Sequence, residues 1–296
     1  MADQKSPVVT LTPSPTLDRT YFVKNLVEGG VNRAYEVGEE LAGKGINVAR
    51  GLQLAKIPAP GVVPLGNGDR AGLKRTGSSS FLLPLWVDGE INEHPRPLHQ
   101  KDWDTVISLT EKTLVDTSAK WLVVAGAHPE IIETGKVIDL EPLFEVTGRL
   151  GVKVILDTSG DPLRYWAQKG NATVMKPNSH ELAECVGKDM KTLGDVIDAA
   201  RTLNDWGVDL IMASMGVDGI VAVTKTHAIH AFTPPVKVIN TVGAGDSTIA
   251  GFLSAVTANE TEPGAYGVGF DVAGGIAAAV QWGAAKVQQP TSGLKS

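Results

Sequence analysis

One cysteine, Cys185, stands in a chain of 296 residues. A single thiol builds neither a disulfide framework nor a cysteine metal cluster, which points to a reducing compartment. No run of about 18 apolar residues is present to span a membrane. The opening Met-Ala-Asp-Gln-Lys-Ser-Pro has no long apolar stretch behind it to read as a signal peptide. Basic tracts are missing as well. The 27 Lys+Arg face 33 Asp+Glu, a formal net charge of -6, which argues against a nucleic-acid partner. Internal repeats and low-complexity tracts are absent, and no early G-x-G-x-x-G follows a strand, so a dinucleotide oxidoreductase lacks its phosphate loop. The expectation from these absences is a soluble, cytoplasmic protein with neither nucleic acid nor membrane as partner.

What is present gathers around one stretch, Asn240-Thr-Val-Gly-Ala-Gly-Asp-Ser-Thr-Ile-Ala-Gly-Phe-Leu253. Gly243 and Gly245 let the backbone turn tightly and bring its amides together. Thr248 to Leu253 reads as the first turns of an apolar helix, and bare amides at a helix start attract anions. Asp246 stands beside that hole. Amides that hold developing negative charge, next to a carboxylate that takes a proton, are what phosphoryl transfer to a hydroxyl needs. On spacing alone, an Asp that merely caps a helix is the plainer alternative.

The rest of the chain suits one large α/β domain, long enough to bury a full core. Val8 to Leu11 reads as a strand stopped by Pro13 and Pro15, which puts Asp18 in or just beyond a loop. Strand ends are where open α/β sheets bind ligands. Tyr21 to Leu26 and Asn32 to Val37 read as strands of a hairpin turning at Glu28-Gly-Gly30. Phe81 to Val87 and Ile91 to Glu93 read as a second hairpin turning at Asp88-Gly89. Both are assigned to a small sheet, formed by inserts at about 19–38 and 80–94, standing off the main body. Between them Gly43 and Gly45 bracket Lys44, and Asn47 lies one turn into the following helix. Such a turn holds a polar or phosphorylated substrate, or is a plain surface turn; it lacks Walker A spacing.

From about residue 105 strand, loop and helix alternate, which predicts a mostly parallel sheet with helices on both faces. Trp121 to Ala125 reads as a buried strand ending near His128, for which a packed or solvated loop role is the plainer one. Val152 to Leu156 delivers Asp157-Thr-Ser-Gly-Asp161 to its C-terminal end. After Lys176, Asn178 and Glu181 have the spacing of a capping box, and the same oxygens suit Mg²⁺ held through water. Ser214-Met-Gly-Val-Asp-Gly219 follows another strand. The small residues from Asp271 to Trp282 serve either close helix packing or a flat slot for a planar group.

Together these segments resemble the PfkB, or ribokinase-like, family of carbohydrate kinases. Asn240-Thr-Val-Gly-Ala-Gly-Asp-Ser247 is similar to its C-terminal signature and Ala42-Gly-Lys-Gly-Ile-Asn-Val-Ala-Arg50 to its N-terminal one. Thr12 to Arg19, Ile91 to Glu93, Leu156 to Gly160 and Lys176 to Glu181 resemble the branch of 1-phosphofructokinases and tagatose-6-phosphate kinases. The resemblance implies a three-layer α/β/α core with a mostly parallel sheet and a small β lid, which often forms a homodimer contact. It implies ATP and Mg²⁺ as cofactors. It makes Asp246 the base, with the amides of Gly243, Ala244 and Gly245 steadying the transferring group. Asp18, Gly43, Lys44, Asn47 and Arg75 would hold the sugar phosphate. Lys176, Asn178, Ser214, Gly216 and Gly219 would line the nucleotide side, with Ala273 and Ala277 at the adenine. Asn178 and Glu181 would organise the metal through water.

Three departures stand out, one of them Gly126-Ala-His-Pro-Glu130 where the family usually reads Gly-Ser-x-Pro-x-Gly. Ala42 replaces the first glycine of the usual Gly-Gly-Lys-Gly, and Lys74-Arg-Thr-Gly-Ser-Ser-Ser-Phe81 replaces the branch's Thr-Arg-Thr-Asn stretch. The expected reaction is ATP-dependent phosphorylation of fructose 1-phosphate to fructose 1,6-bisphosphate. Tagatose 6-phosphate and fructose 6-phosphate are rival acceptors, an unphosphorylated sugar or nucleoside is another, and a non-catalytic sugar-binding relative is the alternative of a different class.

Overall fold

The computed structural model describes residues 5–27, 29–65, 81–82, 90–91, 95–258 and 266–290. Its centre is an eight-stranded sheet. Six strands run parallel: β1 (Val8–Leu11), β4 (Gly61–Val62), β7 (Trp121–Ala125), β8 (Lys153–Asp157), β9 (Val174–Met175) and β10 (Leu210–Ser214). An antiparallel pair, β11 (Ile220–Thr224) and β12 (Ala228–Ala231), extends one edge, and the order is β12-β11-β10-β9-β8-β7-β1-β4. Strands buried on both faces read as unbroken apolar runs, and Trp121-Leu-Val-Val-Ala125 is buried at every position.

Alternate residues feed two cores. Leu122, Val124, Val154, Leu156, Ile211 and Ala213 face one layer of helices: α2 (Gln100–Thr117), α3 (Glu141–Leu150), α4 (Gly160–Lys169), α5 (Ser179–Val186) and α6 (Leu193–Asp205). Trp121, Val123, Ile155, Leu210 and Met212 face the other, made of α1 (Lys44–Leu54), α7 (Ala244–Ala258) and α8 (Val272–Val287). This is the expected α/β/α sandwich. No described helix is long and apolar enough to cross a membrane.

Two short ribbons lie outside the large sheet. β2 (Thr16–Val23) pairs antiparallel with β3 (Ala34–Ala42), and β5 (Phe81–Leu82) with β6 (Glu90–Ile91). The first hairpin is longer at its base than the sequence reading had it. β structure resumes directly after Pro15, in Thr-Leu-Asp-Arg-Thr-Tyr-Phe-Val, a run rich in β-branched and aromatic residues. Asp18 therefore lies just beyond the Pro13–Pro15 loop, on β2 opposite Glu40. Ala42 closes β3 and is not among the residues of positive φ, so its methyl is accommodated where the family has glycine. The Asp88-Gly89 turn, the Gly66-Asn-Gly-Asp69 turn and Arg75 lie outside the described residues.

Candidate active site

Three chain segments meet where the parallel strands end. The first is the turn into α7. Gly243 has φ 79°, a left-handed conformation that favours glycine, and it sets the direction in which α7 begins at Ala244. The amide of Val242 is held by the Asn240 side chain at 2.9 Å, and that of Ser247 by the Gly243 carbonyl at 2.9 Å. A helix leaves its first amides without intrahelical partners; here the Ala244 amide donates to the Thr241 carbonyl at 3.1 Å, and Gly245 and Asp246 follow in the same first turn.

The second segment is the start of α1. Gly43, at φ 129°, precedes the helix, and Asn47 sits one turn in. The Asn47 side-chain amide donates to Oδ2 of Asp246 at 2.8 Å. That bond fixes the carboxylate at the mouth of the turn. Asp246 is 5% exposed. Burial pushes its carboxyl up to about 6; Lys44, Asn47 and Lys176 oppose that rise, while Asp157 adds to it.

The third segment joins the ends of β8 and β9. Asp157, fully buried at the end of β8, receives Lys44 Nζ at 2.9 Å on Oδ1 and has Lys176 Nζ 3.6 Å from Oδ2. Burial disfavours its charge, yet Lys176 and Lys44 outweigh burial and hold its carboxyl below the ordinary range. Lys44 in turn keeps its proton far into alkaline solution: burial opposes this, but Asp157, Asp246 and Glu181 overcome it. The amine of Lys176 also reaches the turn, since a Cβ on Gly245 would lie 3.0 Å from it. Two cations and two carboxylates thus converge on one helix start. Such a set can bind an anionic group on the amides and lysines while a carboxylate removes a proton beside it.

Next to this cluster a cavity of about 320 Å³ opens between the β10–β11 turn, the 233–241 segment and α8. That size suits a small organic ligand. Ser214, Gly216 and Gly219 line it, as do Ala244 and Gly245. Val280, Gly283, Ala284 and Val287 form its helical wall, and Ala273 and Ala277 do not. The cavity wall on α8 thus lies one to two turns beyond the Ala273–Ala277 stretch expected from sequence to meet the adenine. Around Gly275 that helix packs tightly on α7, where a Cβ would lie 2.6 Å from the Phe252 ring, and space opens only past Val280.

A family model described as pfkB family carbohydrate kinase matches residues 89–295. This chain belongs to that family. The 1-phosphofructokinase of Haloferax volcanii is 31% identical over 268 residues, covering 84% of this chain and 83% of that one. The ATP-dependent 6-phosphofructokinase isozyme 2 of Escherichia coli is 27% identical over 293 residues, 93% of each chain. In fold the chain is similar to the solved phosphofructokinase-2 from Escherichia coli in complex with potassium, with a TM-score of 0.77 at 23% identity over 98% of this chain and 96% of that one. The resemblance carried by Asn240–Ser247 and Ala42–Arg50 is thereby upheld.

Other members of the expected set fall around this pfkB centre in different ways. Asn178 and Glu181 form a complete capping box at the start of α5: each side chain accepts the other's backbone amide at 2.8 Å. Among the described residues no three His, Cys, Asp or Glu side chains are grouped to hold a metal ion. The site nevertheless fits Mg²⁺ bound through water and phosphate. Oδ2 of Asp157 is buried without a hydrogen bond among the described residues, with Lys176 Nζ 3.6 Å away, and hard oxygen donors suit that ion. Asp18 is half-buried on β2, where its carboxylate accepts from Thr16 at 3.3 Å. His128 is packed inside, and burial pulls its pKa down to about 4, so it is neutral. Asp157 and the wall from Val280 to Val287 had no role assigned from sequence. For Asp157 the signal was its place at the C-terminal end of a buried parallel strand.

Proposed function

We propose that this pfkB kinase transfers the γ-phosphoryl group of ATP to a phosphorylated ketohexose, with fructose 1-phosphate as acceptor and fructose 1,6-bisphosphate as product. The observation that carries the reading is Asp246, buried at a helix start, held by Asn47 and flanked by Lys44 and Lys176. In its ionised form Asp246 takes the proton of the acceptor's 6-hydroxyl. The oxygen so freed forms a bond to the γ-phosphorus as the bond to the β–γ bridging oxygen breaks, and ADP leaves. The proton then passes from Asp246 to solvent. The amides of Gly243 and Gly245 and the amine of Lys176 steady the moving group, because they are fixed in place before charge develops there; the Ala244 amide, expected to join them, is taken by the Thr241 carbonyl.

Asp157, Asn178 and Glu181 are the groups that would hold Mg²⁺, directly or through water. When bound, the ion neutralises phosphate charge. The apolar cavity supports the nucleotide assignment. Filling it tests the point: Ala284→Phe is expected to raise KM for ATP at least ~10-fold while KM for the sugar stays within ~2-fold. Equal rises in both would place the nucleotide elsewhere.

Relatives named 1-phosphofructokinase support the phosphorylated acceptor, and the E. coli isozyme 2 named for 6-phosphofructokinase activity keeps fructose 6-phosphate in view. Lys44, 38% exposed and beside Asp246, is a cation able to meet a substrate phosphate. The decisive assay follows ATP consumption with Mg²⁺ against fructose 1-phosphate, fructose 6-phosphate, tagatose 6-phosphate, fructose and ribose. The highest kcat/KM is expected with fructose 1-phosphate. Preference for another hexose phosphate reassigns the acceptor, preference for a free sugar means that the site does not recognise a phosphate on the acceptor, and no turnover on any of them overturns the reading.

A further inference from the structure

Lys286 is a charged group that this mechanism leaves unused. It lies in the last turn of α8, is 0% exposed, and its Nζ has no hydrogen-bond partner among the described residues. An ammonium group carries three donors and is strongly hydrated in water, so sealing it away without acceptors is among the costliest placements a side chain can have. Unsatisfied groups of this kind are rare and concentrate where function requires them.

Its position relates it to the phosphoryl-transfer turn. The same end of α8 grips the segment leading into that turn: the amides of Ile239 and Asn240 donate to the Val287 carbonyl at 2.7 and 3.1 Å. The Asn240 side chain donates to the Pro290 carbonyl at 3.0 Å, and its own oxygen holds the Val242 amide. One turn earlier, Gly283 presses on the start of α7. A Cβ there would stand 2.9 Å from Thr248 Oγ1 and 3.8 Å from the Ala244 carbonyl oxygen. Residues three apart share a helix face, and side chains lean toward their helix's N-terminus, which carries Lys286 back over Gly283 toward the first turn of α7. Val280, Gly283, Ala284 and Val287 line the cavity and Lys286 does not, so its amine sits behind the wall.

Burial draws its pKa down to about 8, with Asp246 acting against that fall, so the amine is charged at neutral pH and senses the carboxylate. Removed from solvent, that charge acts on the turn with little screening.

We propose that Lys286 is a positioning residue for phosphoryl transfer, a built-in cation behind the Thr241–Asp246 turn that holds the turn and the ionised Asp246 in place as negative charge builds at the helix start. It rests on the kinase reading and adds to it a residue that touches neither substrate.

Two variants separate this role from packing. Lys286→Met keeps the bulk and loses the charge, so it should melt no lower than wild type. Its kcat is expected to fall at least ~10-fold, with KM for ATP and acceptor each within ~3-fold. Lys286→Ala opens a space, and ammonium chloride at about 100 mM is expected to restore its kcat at least ~5-fold where choline chloride of equal ionic strength does not. Wild-type kcat in Lys286→Met overturns the inference. So does a fall in kcat that comes with a lowered Tm and no response to ammonium. If wild type itself phosphorylates none of the acceptors, the kinase reading fails separately, and calorimetry of ADP with and without aluminium fluoride decides for Lys286. The affinity gained with fluoride should shrink at least ~10-fold in Lys286→Met. A gain absent from wild type, or intact in the variant, overturns the inference.

Discussion

Asp246→Asn is expected to fold, to bind nucleotide and sugar, and to turn over at least ~10²-fold more slowly than wild type. The amide can still accept the Asn47 bond that now holds Oδ2 at 2.8 Å, so the geometry of the turn survives. What disappears is the ability to take a proton. Turnover within a few-fold of wild type would remove Asp246 from the role of base. As the proposed base, the same carboxylate is expected to set the acid limb of the pH profile. With its pKa raised to about 6, kcat/KM for wild type should level off above that value and fall tenfold per pH unit well below it. A limb centred near the ordinary Asp value, about 3.9, would mean that Asp246 is not the group that titrates.

Stability should move the other way. A carboxyl whose folded pKa is raised binds more protons when native than when unfolded between the two values. Its contribution is therefore most favourable below about pH 4, and is lost as pH rises through about 6. Above that pH the ionised, buried group costs about 3 kcal/mol relative to a neutral one, at 1.36 kcal/mol per pKa unit. Asp246→Asn should then melt at a higher temperature than wild type at pH 8, and by a smaller margin at pH 5. A site that is less stable with its working residue than without it has the character of function held against stability.

Much of this was legible in the sequence, and the exceptions share a cause. Trp121 to Ala125 is apolar without interruption, and a buried parallel strand has no other pattern to show. Asn178 and Glu181 announce their capping box through a local spacing that needs no knowledge of the fold. Asp157 gives no such sign, because its partner Lys44 stands 113 positions away and only the sheet brings them together. Lys286 reads as a lysine near a helix C-terminus, where a cation suits the dipole; its burial is a property of how α8 lies on α7. Which part of α8 walls the cavity is hidden from the sequence for the same reason. Ala273 and Ala277 are as small as Gly283 and Ala284, and the packing of the two helices alone decides which small residues leave a space. Pro13 and Pro15 end β1 and put Asp18 just beyond their loop, but that local signal does not show that the chain resumes as β2 at once.

Asp157→Ala is expected to destabilise the protein by about 3 kcal/mol and to lower turnover at least ~10-fold. Asp157 is 1% exposed and is the shared counter-ion of Lys44 and Lys176. Removing it leaves Lys176, 6% exposed, as a buried ammonium with its charge uncompensated, and such an orphan costs more than the pair ever contributed. The loss depends on pH in a known direction. A depressed carboxyl stabilises the fold above its unfolded pKa and ceases to do so as pH falls through its lowered folded value, so wild type keeps the whole contribution at neutral pH. The effect on turnover has a separate origin. Lys44 and Lys176 are both held on Asp157, and without that carboxylate both are free to swing toward Asp246. A second change tells the two effects apart: adding Lys176→Met to Asp157→Ala removes the orphaned charge and should recover most of the lost stability, while turnover stays low because the amine beside Gly245 is gone. Recovery of both together would mean that the lysines do no more than balance a buried carboxylate. Recovery of stability alone would mean that Asp157 is retained in order to hold two cations at the place where a phosphoryl group passes.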